Sequence, residues 1–323
     1  MKKCSGRLIA ASPAVCADVL YAGGFHAPDE VIYFEIGHEK GLILSQLEFA
    51  RGQSAAKRGE LVLSRESFLE GSADRSDLAV LKNLTDKLGV TRWDVPANFP
   101  LALADALRGS GVEIGARPDP FFPKRQVKTA AELRKIAEAE AVTEDSMRYA
   151  RDLIRSAQVN SKGVLTRNGK VFTCAMHRAE IDGFLKQPGY TAEQTITACG
   201  EDASQPHNLG SGPLLAGKPI VIDIFPRSDR SGYWGDMTRT FCKGKALPVV
   251  RKAFKSVLKA SEIAQKMIRA GVCAADVHRA AAESMASDGF LTGHTPDGIP
   301  CGFIHGLGRG LGGALQGGPR GSP

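Results

Sequence analysis

Up to about Arg125 the chain alternates short apolar runs with turns; Ala17-Asp-Val-Leu-Tyr21, Val31-Ile-Tyr-Phe34 and Leu42-Ile-Leu44 are the clearest runs. Helical spacing follows at Asp77–Asp86 and, more briefly, at Leu101–Arg108, before a strand-like Val112-Glu-Ile114. Strands interleaved with helices predict an α/β domain over residues 1–125, and its polar residues show no convergent spacing. Pro118-Asp-Pro-Phe-Phe-Pro-Lys-Arg125 is proline-rich and reads as a linker. Beyond it, Thr129-Ala-Ala-Glu132 has capping-box spacing, in which each side chain satisfies an N–H group left open at a helix start. That helix runs to about Ser156, with Leu133, Ile136, Ala137, Met147, Ala150 and Ile154 at core spacing.

A second domain over residues 126–323 continues with a helix near Ala175–Lys186 and a strand at Gln194–Cys199. A helix pair follows later, near Pro248–Ala270 and Ala274–Ser287, broken by Gly271, with Phe254, Leu258 and Met267 as its inward stripe. Between them lies the most informative stretch. Pro219-Ile-Val-Ile-Asp-Ile-Phe225 is apolar and β-branched, the pattern of a buried strand, yet it carries Asp223. The turn-rich Pro226–Gly232 reverses the chain into a second strand that carries Asp236. A carboxylate on a buried strand is costly unless something pairs with it, and a hairpin brings these two together. Shared metal binding is the economical explanation.

Composition narrows the alternatives. At 323 residues, 43% hydrophobic and 24% charged, the chain has room for two ordinary globular domains. The net charge of +7 is spread along the whole length, which predicts a solvated basic surface and no specific nucleic-acid site. The seven cysteines form no CxxC pair, so a zinc ribbon and a disulfide scaffold are both excluded in favour of reduced thiols and a cytoplasmic setting. Met1-Lys-Lys3 is basic, but the apolar stretch after it is short and broken by Ser12 and Pro13, so no signal peptide and no membrane span are expected.

Two histidines flank the aspartates in sequence. His207 lies in the loop before the Asp223 strand, and His305 lies in Cys301-Gly-Phe-Ile-His-Gly-Leu-Gly-Arg-Gly310. Taken singly, each residue has an ordinary explanation. A strand-end aspartate is usually a cap or an ion-pair partner, a loop histidine sits at the surface, and a histidine beside glycines caps a turn. Arg239 reads equally as a counter-ion or a substrate contact. Taken together, hard oxygens with imidazoles suit divalent manganese, cobalt or zinc. Two such ions sharing carboxylates hold a bridging hydroxide at neutral pH and polarise a carbonyl, which is metal-assisted hydrolysis.

The stretch His207–Phe241, with its Asp…Gly-Tyr-x-x-Asp-x-Thr-Arg-Thr-Phe pattern, resembles the pita-bread metallopeptidases, of the Xaa-Pro aminopeptidase, prolidase and creatinase type. The resemblance implies a creatinase-like α/β N-terminal domain followed by a pita-bread (α+β) catalytic domain. It implies that Asp223 and Asp236 hold two divalent metal ions, that His207 contacts substrate and that His305 helps move protons. The expected reaction is hydrolysis of short peptides, with proline at the second position, by a hydroxide of the dinuclear centre. Relatives of this kind are commonly dimers, so a homodimer is expected.

The same resemblance exposes departures. The family follows its Phe-x-His-Gly histidine with Gly-x-Gly-His, whose last histidine is a metal ligand; here Gly306-Leu-Gly308 leads to Arg309. A guanidinium has no lone pair for a metal and stays charged. No glutamate follows Glu283, and the later acids Asp288 and Asp297 precede His305. Of five protein ligands implied by the resemblance, three are missing, so the pita-bread domain is expected to be incomplete and turnover impaired. The alternative is a catalytically inactive pita-bread pseudoenzyme that binds a peptide or protein. A basic module touching nucleic acid is a third, weaker reading that modest salt would abolish.

Overall fold

The structure, a computed structural model, describes residues 4–56, 59–294 and 300–301. It is mixed α/β, and it divides into two compact units with the boundary between Lys128 and Thr129.

The first unit comprises β1 (Ser5–Ala11), α1 (Ala17–Gly23), β2 (Val31–Ile36), β3 (Glu39–Leu44), α2 (Gln46–Ala55), β4 (Glu60–Ser64), α3 (Asp77–Leu88), β5 (Arg92–Pro96), α4 (Leu101–Gly109) and β6 (Glu113–Arg117). Its six strands form one sheet in the order β4-β3-β2-β1-β5-β6. Period-two alternation fills both faces. Leu8, Ile32 and Phe34 join Leu81, Leu84, Trp93 and Leu107 on one side. Ile9, Val31, Tyr33 and Leu44 join Phe121 and Phe122 on the other. The buried Trp93 Nε1 donates to Thr85 Oγ1 at 2.9 Å, so the largest core side chain also has its polar atom satisfied.

The expected linker at Pro118–Arg125 is not loose. Phe121 and Phe122 are buried in edge-to-face contact, and Arg125 donates to Asp18 at 2.7 Å with both side chains nearly buried. Aromatic burial outweighs the proline-rich composition here and ties the segment to the first unit's core.

The second unit opens with α5 (Ala130–Ser156), whose capping box forms between Thr129 and Glu132 as the spacing predicts. A small meander follows in β7 (Gln158–Val159), β8 (Leu165–Arg167) and β9 (Lys170–Val171), then α6 (Cys174–Lys186), β10 (Tyr190–Ala192), β11 (Ile196–Cys199), β12 (Ile220–Ile224), β13 (Pro226–Ser228) and β14 (Met237–Phe241). After these come α7 (Pro248–Met267), α8 (Ala274–Ser287), β15 (Gly293–His294) and β16 (Pro300–Cys301). The sheet β11-β12-β14 packs one face on α5 and α6 through Ile220, Ile222 and Ile224.

Buried His177 locks this layer. Its Nε2 lies 3.0 Å from the Ala150 carbonyl of α5, and its Nδ1 lies 3.0 Å from Thr197 Oγ1 of β11. A carbonyl only accepts, so Nε2 carries the proton and Nδ1 accepts from the threonine hydroxyl. Burial lowers the His177 pKa to about 4, so the ring is neutral near pH 7.

Two core expectations are corrected. On α5, Ile136, Met147, Ala150 and Ile154 are buried, but Leu133 and Ala137 are exposed near the helix start. On α7, Phe254 is 56% and Leu258 49% exposed, and Met267 is only partly buried. The reason is the partner: α7 packs on α8 through small residues, with Ser256, Ala260, Ala281 and Ser284 buried, so the larger apolar side chains lie off the seam.

Candidate metal centre

Asp223 stands directly across from Thr238 in the β12–β14 ladder, so the two side chains share one face. Asp236 precedes Thr238 by two residues and lies just before β14, half-buried. The β-branched isoleucines on either side of Asp223 point the opposite way, into the core. Strand β12 thus sorts its residues by chemistry: aliphatic inward, Asp223 outward and half-buried. The Thr238 hydroxyl donates to Asp223 Oδ1, which orients that carboxylate.

The connection between the strands is more elaborate than a turn. Pro226–Ser228 leaves the β12 ladder as β13 and pairs with β10. The chain returns through a bridge of Arg227 with Trp234 and the Gly235 N–H to Pro226 carbonyl bond at 3.0 Å. Two contacts then bind residues 233–235 to α5. Tyr233 Oη donates to Glu132 at 3.0 Å. Gly235 sits so close to the helix that a Cβ would lie 2.1 Å from Thr143 Oγ1 and 2.7 Å from the Ala139 carbonyl oxygen. Burial pushes the Glu140 carboxyl above the ordinary carboxylate range, the Asp236 N–H opposes that rise, and the Asp236 charge adds to it.

His207 is exposed, on the loop that joins β11 to β12. That loop is braced from behind: Arg178 of α6 donates to the carbonyls of Leu209 and Gly210, and Asp202 accepts from the Ser211 N–H at 3.0 Å. Gly210, at φ +79°, would place a Cβ 2.0 Å from the Thr197 carbonyl, so only glycine lets the loop lie this close to β11. His305 lies outside the described residues.

The described residues place Asp223 on β12 and Asp236 just before its antiparallel partner β14, with His207 on the loop that leads into β12. Carboxylate donors are the hard oxygens that suit a divalent metal. Among the described residues no group of three or more His, Cys, Asp or Glu has metal-holding geometry. Glu140, Gly235 and His177 were not singled out by the sequence pattern. A signal for Glu140 did exist: it follows buried Ile136 by four residues, placing a charged residue beside the helix's core stripe.

Comparison with known proteins places the mixed α/β chain with the metallopeptidases of the pita-bread class. Residues 134–323 match the model of metallopeptidase family M24. The chain belongs to that family. Its fold is similar to that of the X-Pro aminopeptidase from Thermotoga maritima, with a TM-score of 0.73, 20% identity and coverage of 89% of this chain and 76% of that one. It is similar to the prolidase from Pyrococcus furiosus (TM-score 0.69, 18% identity, 88% and 76% covered) and to the Xaa-Pro dipeptidase from Bacillus anthracis (0.73, 15%, 88% and 73%). No curated protein matches the sequence.

The remaining sequence expectations meet a few further findings. Cys4, Cys16, Cys174, Cys199, Cys242 and Cys273 are free thiols. No described helix is long and apolar enough to cross a membrane.

Proposed function

We propose that this chain is a metal-dependent peptidase of the Xaa-Pro aminopeptidase and prolidase type, with short peptides bearing proline at the second position as its substrates. The observation that carries the reading is the antiparallel pairing of β12 with β14, which carries Asp223 and ends beside Asp236, with Thr238 oriented onto Asp223. When bound, a pair of divalent cations (manganese, cobalt or zinc) supplies a Lewis acid for the peptide carbonyl and acidifies water. Asp223 and Asp236 hold that charge. His207, exposed on a braced loop, meets the substrate, and His305 serves proton movement. A cytoplasmic setting and a homodimer complete the proposal, supported by the free thiols and the family respectively.

The test pairs metal content with turnover. Purified protein is incubated with manganese, desalted, analysed for metal and assayed on Xaa-Pro dipeptides and Xaa-Pro-Xaa tripeptides. Retained metal with hydrolysis, both lost in Asp223→Asn and Asp236→Asn, supports the reading.

A second reading has its own observation. Arg309 stands where the resemblance expects an imidazole ligand, and a fixed positive charge there opposes cation binding. It supports an impaired site, or a pseudoenzyme that keeps the fold for binding a peptide or protein. Peptide binding that persists in chelator, with no retained metal and no turnover, would decide for it.

A further inference from the structure

The loop between β11 and β12 carries His207, and α6 grips it at two points one turn apart. The Cys174 N–H, at the first residue of the helix, donates to the Gly212 carbonyl at 3.0 Å. Arg178, four residues on and so on the same face, gives its Nη1 to two successive carbonyls, those of Leu209 and Gly210, the second at 2.9 Å. The Leu209 carbonyl also accepts from the Thr197 N–H of β11 at 3.3 Å. Successive carbonyls turned to one side gather partial negative charge, and Gly210 at φ +79° is what lets the chain turn so. A half-buried guanidinium offsets that charge more strongly than a neutral donor would. The grip is passed on toward the histidine. The Gly210 N–H donates at 2.9 Å to Asn208 Oδ1, and Asn208 follows His207 directly.

We propose that Arg178 is a positioning residue for substrate binding, holding the loop so that His207 stands where a peptide meets it. The proposal rests on the reading of His207 as a substrate contact. Arg178 acts on the loop backbone and touches no substrate itself, so its whole effect on peptide affinity passes through His207.

The test is a double-mutant cycle in the full chain with Mn²⁺ present throughout. The probe is an Ala-Pro analogue whose peptide carbonyl is replaced by a methylene, so that it binds without being cleaved. Its affinity is measured by calorimetry, beside amide hydrogen exchange of residues 206–212 in the free protein. His207→Ala and Arg178→Met are each expected to weaken binding by about three- to tenfold, and the double variant no more than His207→Ala alone. Arg178→Met should also speed exchange across the loop. Arg178→Lys, whose ammonium has hydrogens enough for both carbonyls, should recover part of both losses. Arg178→Ala takes its place in the cycle if the methionine variant does not fold. A penalty from Arg178→Met that persists undiminished in the His207→Ala background overturns the proposal, because the arginine would then serve the fold or meet the peptide directly. Unchanged affinity in Arg178→Met, while His207→Ala weakens binding, also overturns it and leaves the substrate reading of His207 standing. Unchanged affinity in His207→Ala, or no binding by the unaltered protein, removes that reading first and the proposal with it.

Discussion

The two units solve the same problem, a sheet needing cover, in opposite ways. In the first, both faces of the six-stranded sheet carry apolar side chains, and its nearly buried aspartate, Asp18, is neutralised by Arg125. In the second, the β11-β12-β14 sheet buries one face and gives the other the half-buried Asp223 beside exposed Thr238 and Thr240. A carboxylate matched by a guanidinium is a structural part. A carboxylate on an open face, oriented by a hydroxyl, is the kind proposed here to meet a cation. The contrast shows that burial of an acid does not mark function; the company it keeps does.

The largest expected effect breaks the structural side of that contrast. Arg125→Ala leaves Asp18 charged and without its guanidinium, and should cost about 3–5 kcal/mol of the first unit's stability by chemical denaturation. Replacing both, as Asp18→Leu with Arg125→Met, should recover most of the loss, because the pair itself contributes little beyond its own desolvation. A cost below about 1 kcal/mol for Arg125→Ala would place the pair with exposed ion pairs and erase the distinction.

The second unit has its own buried titratable group, and its response runs with pH. His177 titrates near 6.5 when unfolded and at about 4 when folded, so between those values the unfolded chain binds more protons. The stabilisation is therefore complete above about pH 6.5 and is lost as pH falls through about 4, a total of about 3 kcal/mol. Denaturation at pH 7 and pH 4.5 should show it, and His177→Gln should flatten that acid limb. Equal pH dependence in the variant would assign the limb to other groups.

Next is the seat of Asp236. Gly235→Ala forces a methyl against Thr143 and the Ala139 carbonyl, and should destabilise the second unit by about 1–3 kcal/mol. Adding Thr143→Ala removes the nearest atom but not the backbone oxygen, so it should rescue only part. Full rescue would show that the hydroxyl alone enforces glycine.

Much of this was legible in the chain. The capping box at Thr129, the helix to Ser156 and the strand flanking Asp223 follow from side-chain periodicity and local hydrogen bonding, which sequence displays directly. Pro118–Arg125 misled because proline marks a backbone constraint, whereas the fate of Phe121 and Phe122 depends on a cavity made by distant strands. The α7 stripe misled because periodicity shows that apolar residues share a side, but not which neighbour meets it. Gly235 was invisible for the same reason: its tight fit comes from close approach to α5, far earlier in the chain. The antiparallel pairing of the Asp223 strand with the strand after Asp236 could be read because the connection between them is local.

The smallest expected effect bears most directly on the site. Thr238→Val keeps the shape and β-branched character of an exposed strand residue and removes only the hydroxyl that donates to Asp223. A hydrogen bond to a carboxylate contributes about 1 kcal/mol net in such a setting, which predicts roughly three- to tenfold weaker Mn²⁺ binding. Stability should change by no more than about 0.5 kcal/mol, because the strand loses no packing. Thr238→Ser, which retains the donor, should bind Mn²⁺ like the unaltered protein. If valine instead lowers stability and leaves Mn²⁺ affinity untouched, the Thr238–Asp223 bond belongs to the strand pairing. Asp223 would then resemble Asp18, an acid held for structure.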